Sequence, residues 1–330
     1  MSQLEAEIAE IPDRLRAVAA TNRAALIEAA RRFGVVQPPA FFTIARGTSD
    51  AVAAYAAYRL TQALSIPVGS FAPSLASLDG VHPHPAGLWT LAISQSGQSP
   101  DLVAAQEAFA GGGGERIALV NDVGAPLALM ADLVFDQAAG EERSVAATKS
   151  FANSLMVVDL LAEALAGRGA GSEARCEAIG RAAAAAMTSG VNLSPLDGAA
   201  NAYVIGRGAS LPVAEEAALK LKETCGLHAE AISAAEVMHG PRAIAGRAMP
   251  ILGFAGPGAA GQSVIEALRL LAQQGSPTIT IAAPALPDDL APAAPVAMIA
   301  TFYAALPALA RRRGRDPDRP PSLTKVTLTH

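Results

Sequence analysis

The sequence predicts an α/β protein made of two tandem parallel sheets flanked by helices, with an N-terminal helix before them and a tail after. Three observations carry this. The 330-residue length exceeds one ordinary domain. Short apolar runs alternate with helical stretches. The strand-to-helix opening of the first half recurs in the second.

Apolar residues at helical spacing (Leu4, Ile8, Ile11, Leu15, Val18) mark residues 1–34 as a helix. "PPAFFTIARGTSDAV" then reads as strand, tight turn and helix start. The β-like runs "IPVGSF", "LWTLAIS", "RIALV" and "ADLVF" follow, with "SDAVAAYAAYRLTQAL" and "PDLVAAQEAFAG" as helices among them. After "VAATKSFANSLMVVDLLAEALAG" an alanine-rich helical segment links the halves. The second series holds "NAYVIGRGASLPVAEEAALKLKE", "MPILGFAG", "SPTITIAA" and "PVAMIA". These divisions give a first domain at 35–185 and a second at 186–330.

"FTIARGTSDAVAAYAAYRL" from Phe42 lies on "YVIGRGASLPVAEEAALKL" from Tyr203 without gaps. Ile44, Arg46, Gly47, Ser49 and Val52 match Ile205, Arg207, Gly208, Ser210 and Val213. Chance likeness of alanine-rich helices explains the alanines; it does not explain the shared strand-Arg-Gly-x-Ser-helix junction.

Composition excludes several classes. Half the residues are hydrophobic and the formal net charge is −5, so the chain folds and has little attraction for nucleic acid. "RRRGRDPDR" near the C-terminus reads as a helix end complementing its own dipole. The two cysteines, Cys176 and Cys225, lack metal-ligand spacing, and the acidic start "MSQLEAEIAEIPDRL" is unlike a signal peptide, so a cytoplasmic location is expected. The uncharged stretch 291–310 is long enough to span a bilayer, but Pro292, Pro295 and Pro307 punctuate it; a strand, "PVAMIA", and then a helix are expected, with no membrane.

The chemistry gathers in two places. Thr48 and Ser49 follow one strand; Ser94, Gln95, Ser96 and Ser99 follow another. Ligands of open α/β sheets bind at such strand ends, where hydroxyls and backbone amides can hold a phosphate. The same residues would equally cap the two following helices. The duplicate has Ala255, Gly256 and Pro257 at the equivalent strand end, which favours the phosphate reading over turns or caps. In the second half Glu216, Lys220 and Glu223 share a helix face, and His228, Glu230, Glu236 and His239 follow. Taken alone, that face reads as solvated ion pairs; nearness to the phosphate loops would reverse the preference.

With these residues in view the chain resembles the sugar isomerase (SIS) domain pair found in the isomerase half of glucosamine-6-phosphate synthase and in stand-alone aminosugar-phosphate enzymes. The likeness rests on "GTS" (47–49), "SQSG" (94–97), "VAATKSF" (145–151), "EEAALKLKE" (215–223), "HAEAISAAEVMHGP" (228–241) and "DPDRPPSLTKVT" (316–327), in the family's order. It implies two flavodoxin-like SIS domains and a homodimer that shares its sites. Gly47, Thr48, Ser49, Ser94, Gln95, Ser96 and Ser99 would hold the sugar phosphate, with Val145 and Ala147 beside them. Ala147 stands where the family usually has serine, so one hydroxyl contact is missing.

The resemblance makes Glu223 the base between C1 and C2, Lys220 its assistant, His239 of a second subunit the ring opener and Lys325 a Schiff-base lysine. Moving a proton beside a carbonyl needs a carboxylate and a nearby cation, so neither metal nor other cofactor is expected. His228 reads as part of a buried hydrogen-bond network; His82 and His84 read as loop residues, though H-x-H could take up metal adventitiously.

The sequence shows no glutaminase domain of the kind the synthase carries, so the expected reaction is conversion of glucosamine 6-phosphate to fructose 6-phosphate and ammonia. Alternatives are a galactosamine-6-phosphate deaminase, a fructosamine-6-phosphate deglycase, or, from another class, a non-catalytic phosphosugar-binding regulator.

Overall fold

The computed structural model describes residues 1–83 and 86–325; His84 and the tail beyond Lys325 lie outside the described residues. In chain order the elements are α1 (Gln3–Ala9), α2 (Ile11–Val35), β1 (Phe41–Ile44), α3 (Thr48–Leu64), β2 (Val68–Ser70), α4 (Pro73–Ser77), β3 (Trp89–Ser94), α5 (Pro100–Glu107), β4 (Arg116–Val120), α6 (Pro126–Leu129), β5 (Leu133–Asp136), α7 (Lys149–Leu165) and α8 (Ser172–Ser189). They continue with β6 (Asn201–Gly206), α9 (Leu211–Cys225), β7 (His228–Ser233), β8 (Ile251–Ala255), α10 (Gly258–Gln273), β9 (Thr278–Ala282) and α11 (Ala294–Arg312).

Two compact units result, and neither is continuous in sequence. One comprises 14–141 and 153–177; the other comprises 1–13, 142–152 and 178–325. The first holds a five-stranded parallel sheet, order β2-β1-β3-β4-β5. This is the doubly wound order of flavodoxin-type sheets. The second holds a four-stranded parallel sheet, β7-β6-β8-β9, which repeats the same winding one strand short. β3 is buried along its whole length, as parallel strands covered on both faces must be.

The duplication is visible in the backbone. Gly47 and Gly208 open the two equivalent helices at φ +57° and +59°; Ser65 and Gly226 end them at φ +58° and +57°. Each is the left-handed residue that stops a helix or lets a strand turn sharply into one.

Two expectations need correction. The N-terminal helix is interrupted: α1 stops at Ala9 and α2 begins at Ile11, because Pro12 has no N–H to donate and fits only a first turn. A capping box between Ser2 and Glu5 starts α1. "PVAMIA" is no strand but the opening of α11, with Pro295 in its first turn. Ala294–Tyr303 is buried on all sides, and a fully buried helix has no period that separates it from a buried strand. α11 is long and apolar enough to cross a membrane, and most of that apolar window is packed inside the protein.

Candidate functional site

The residues that the sequence suggests for phosphate binding lie on two loops of the five-stranded unit, after the neighbouring strands β1 and β3. β1 and β3 are hydrogen-bonded neighbours, with β2 and β4 on their outer sides, so the sheet changes winding direction between them. That switch point is where an open α/β sheet leaves a crevice at its strand ends. Gly47 turns the chain after β1; Gly97, at φ +63°, turns it after β3.

The hydroxyls around these turns divide by task. Ser94 Oγ accepts from the Gly97 amide at 3.0 Å and Ser96 Oγ from the Gln98 amide at 3.3 Å, so both shape the loop. Ser99 is the N-cap of α5, yet neither α5 nor α3 has a side-chain cap bond. The capping role that competed with phosphate binding is not taken up. Thr48, Ser49, Gln95, Ser96 and Ser99 are all half-buried, a state that leaves side chains reachable by a ligand. Between the two loops the Arg46 guanidinium bonds the fully buried Asp101 carboxylate, a tie the sequence reading missed.

The copy in the other unit acts as an internal control. Gly208 and Gly258 keep the left-handed geometry of Gly47 and Gly97, at φ +59° and +67°. Its strand end is closed, however. Ser210, the counterpart of Ser49, is only 2% exposed, and a Cβ on Gly256 would collide with its hydroxyl. Gly261 is equally tight against the Gly256 carbonyl. One copy keeps half-buried hydroxyls at its strand ends; in the other the counterpart of Ser49 is packed away.

The titrating groups converge in the four-stranded unit, around α9. Lys220 Nζ lies 2.5 Å from Glu223 Oε2 and 3.5 Å from Glu216 Oε1, the i+3 and i−4 neighbours that a helix brings to one face. Tyr303 of α11 donates to Glu216 Oε1 at 2.7 Å. This face is not solvated: Lys220 is 1% exposed, Glu216 is sealed and Glu223 keeps about a fifth of its side chain open. The bland reading of the spacing is therefore corrected, because α11 covers the face. Burial pulls the Lys220 ammonium down, but the Glu216 and Glu223 charges prevail and hold it above its ordinary value. Burial, then the Glu216 charge, pushes the Tyr303 phenol well up, so it donates rather than ionises.

Lys325 pairs with Glu142, which no sequence signal had singled out. Its Nζ is 3.2 Å from Glu142 Oε2, and the Glu142 charge acts in turn on Lys220 and Tyr303. Lys220 and Glu223 thus form one ion pair and Lys325 and Glu142 another in the same compact unit. Val145 and Ala147 are half-buried in the loop that follows Glu142.

The histidines stand elsewhere. His239 ends an exposed turn, Glu236–His239, and no described hydrogen bond ties it to either pair. His228 does hydrogen-bond, with Nδ1 at 2.9 Å from Asn201 Oδ1, but at an exposed strand start and not in a buried network as expected. Glu230 and Glu236 are exposed, and so is His82 in its loop. Among the described residues no three His, Cys, Asp or Glu side chains converge as a metal site requires.

Comparison with other proteins identifies the family and the fold. The SIS domain model matches residues 36–164 and 196–294. A glutamine–fructose-6-phosphate aminotransferase from Pyrococcus horikoshii is 31% identical over 261 residues, 71% of this chain and 42% of that protein, so the chain spans less than half of this curated relative. A provisionally named phosphosugar isomerase from Silicibacter pomeroyi superposes with a TM-score of 0.87 at 34% identity, over 96% of this chain and 100% of its own. The glucosamine-6-phosphate deaminase of Thermotoga maritima shares the fold, with a TM-score of 0.80 at 18% identity over 99% of this chain and 100% of its own.

Proposed function

This chain belongs to the SIS-domain family, and from that premise we propose that it is an aminosugar-phosphate deaminase and isomerase, turning glucosamine 6-phosphate and water into fructose 6-phosphate and ammonia. The observation that carries the reading is the buried Lys220–Glu223 ion pair on α9.

Each group has a task in such a reaction. The substrate phosphate sits on the Thr48–Ser49 and Ser94–Ser99 loops, where backbone amides and hydroxyls neutralise it without a lysine. His239, supplied by a second subunit, opens the ring. Glu223, partly open to solvent, takes the proton from C2 of the open-chain aldehyde and returns it to C1, and water then hydrolyses the resulting C2 imine to the ketose and ammonia. Lys220 stays an ammonium in its acidic surroundings and stabilises the charge that develops on the neighbouring oxygen. Lys325 binds the ketose as a Schiff base. The enzyme works as a cytoplasmic homodimer with no cofactor.

Incubation with glucosamine 6-phosphate is expected to release ammonia and fructose 6-phosphate in equal amounts. Glu223→Gln is expected to lower the rate by about two to four powers of ten, the usual yield of general base catalysis. Binding of glucosamine 6-phosphate with neither product formed would overturn the deaminase and leave a conjugate-specific deglycase or a sensor. Faster turnover of galactosamine 6-phosphate would move the substrate to the other epimer.

A further inference from the structure

We propose that Glu142 is the positioning residue of Lys325, on a loop that the N-terminal helix α1 braces. The proposal rests on the preceding reading of Lys325 as the Schiff-base lysine.

The Glu142 side chain is fully buried, a costly place for a carboxylate unless its oxygens are well partnered. Oε1 accepts from the amides of Thr148 at 2.9 Å and Ser150 at 3.2 Å; Oε2 accepts from Ser150 Oγ at 2.7 Å and from Lys325 Nζ at 3.2 Å. Three of these four donors belong to the loop and to the first turn of α7 that follows it. The carboxylate is therefore fixed by its own segment of chain and presents Oε2 to the tail as a ready-made anchor. Burial alone would raise its pKa, but the Lys325 charge and the loop donors outweigh burial and hold it below the usual carboxylate range.

α1 fastens the same loop and the segment that leads to the tail. The Glu7 carboxylate, buried, accepts from the Arg143 amide at 2.6 Å and the Ser144 amide at 3.3 Å, and Glu10 pairs with Lys149 at 3.0 Å. On its other side the amides of Gln3 and Leu4 each donate to Asp318 at 2.8 Å, and Glu5 pairs with Arg311 at 2.5 Å. Loop, tail and α1 lie in one compact unit, so these bonds form one brace. A lysine past the last helix needs such a brace, since a C-terminal segment is ordered only where something ties it down.

The chemical step shows why placement matters. Lys325 sheds its extra proton to solvent; the free amine adds to the ketose C2 carbonyl, the C=N bond forms, and the carbonyl oxygen leaves as one water. Glu142, held ionised, is a poor proton acceptor for this step. It sets where the nitrogen stands.

Trapping with cyanoborohydride in the presence of fructose 6-phosphate tests the role on the full-length chain, read as added sugar mass on Lys325. The wild type is expected to trap, and Glu142→Gln, in its folded form, to trap about tenfold less, the scale of a hydrogen bond to a charged group. Glu142→Asp, which keeps the charge on a shorter arm, is expected to fall between the two. In a Lys325→Ala background Glu142→Gln is expected to cause no further loss of turnover, which a merely structural role would. Undiminished trapping in Glu142→Gln overturns the proposal and leaves the Schiff-base reading standing. Absence of any adduct in the wild type ends the Schiff-base reading, and this role of Glu142 with it. Should Glu142→Gln fail to fold, Ser150→Ala removes one donor from Oε2, and undiminished trapping there overturns the proposal equally.

Discussion

Glu216 and Lys220 show how a helix face changes meaning when another helix covers it. Glu216 is sealed from solvent, with Lys220 on one side and the Tyr303 hydroxyl on the other. Deleting the cation leaves a buried acid that has lost its charge partner, and such losses cost about 3–5 kcal/mol. Lys220→Met is accordingly expected to lower stability by that order, while Tyr303→Phe, which removes one hydrogen bond to a charged acceptor, costs about 1.5–3 kcal/mol. Urea denaturation of the two variants checks the ordering; equal stability of Lys220→Met and wild type would mean that the pair carries no folding role. The i, i+4, i+7 spacing of Glu216, Lys220 and Glu223 was legible in the sequence. Their burial was not, because it depends on α11, whose opening reads equally well as a strand. Glu142 was illegible for a similar reason: its partners sit in its own loop, in the first turn of α7 and in the tail, and no periodic pattern links them.

At the scale of the element, the two glycine turns after β3 and β8 form a natural comparison. Gly97 and Gly258 have the same left-handed backbone, φ +63° and +67°, so alanine strains both by about 1–2 kcal/mol. Their surroundings differ. A Cβ on Gly97 would sit 2.6 Å from the Ala125 Cβ and 3.3 Å from Val120 Cγ1, whereas none of the neighbouring atoms lies within 4 Å of one on Gly258. Gly97→Ala is therefore expected to cost about 1–3 kcal/mol more than Gly258→Ala, the price of overpacking. It should also weaken binding of fructose 6-phosphate, which Gly258→Ala should leave alone. Thermal melts and titrations of both variants read the two effects; an equal loss of affinity would remove the phosphate from the Ser94–Ser99 loop. Most elements were legible in advance because parallel strands buried on both faces read as short apolar runs, as β1, β3, β4 and β8 do, and edge strand β9 alternates threonine and isoleucine. β7 was missed, since "HAEAIS" carries exposed His228 and Glu230 at an edge of the sheet and looks like a polar loop.

On the scale of the whole molecule, the sequence revealed two α/β copies but not how the chain shares itself between them. Residues 142–152, placed by sequence order in the first copy, cluster with the unit that holds the second, along with residues 1–13. Contacts, not order along the chain, decide such membership, and these contacts include the charged ones from Glu7, Glu10 and Glu142 that no hydrophobic pattern reports. His239 raises the same question beyond one chain. It is exposed, at the end of a turn, with no described bond to Lys220, Glu223 or Lys325, although the proposed chemistry gives it a part in the same turnover. If a second subunit supplies it, Glu223→Gln and His239→Ala are complementary lesions. Each variant alone is expected to be nearly inactive. Mixed, unfolded and refolded together, half of the dimers are hybrids, and each hybrid has one site with both intact residues and one with neither, so activity is expected to return to about a quarter of wild type for a two-fold symmetric dimer. If Glu223 and His239 of the same chain serve the same site, every site in a hybrid carries one lesion, and the mixture stays as inactive as its parents. The activity of the refolded mixture therefore separates a shared site from a self-contained one without any knowledge of the interface.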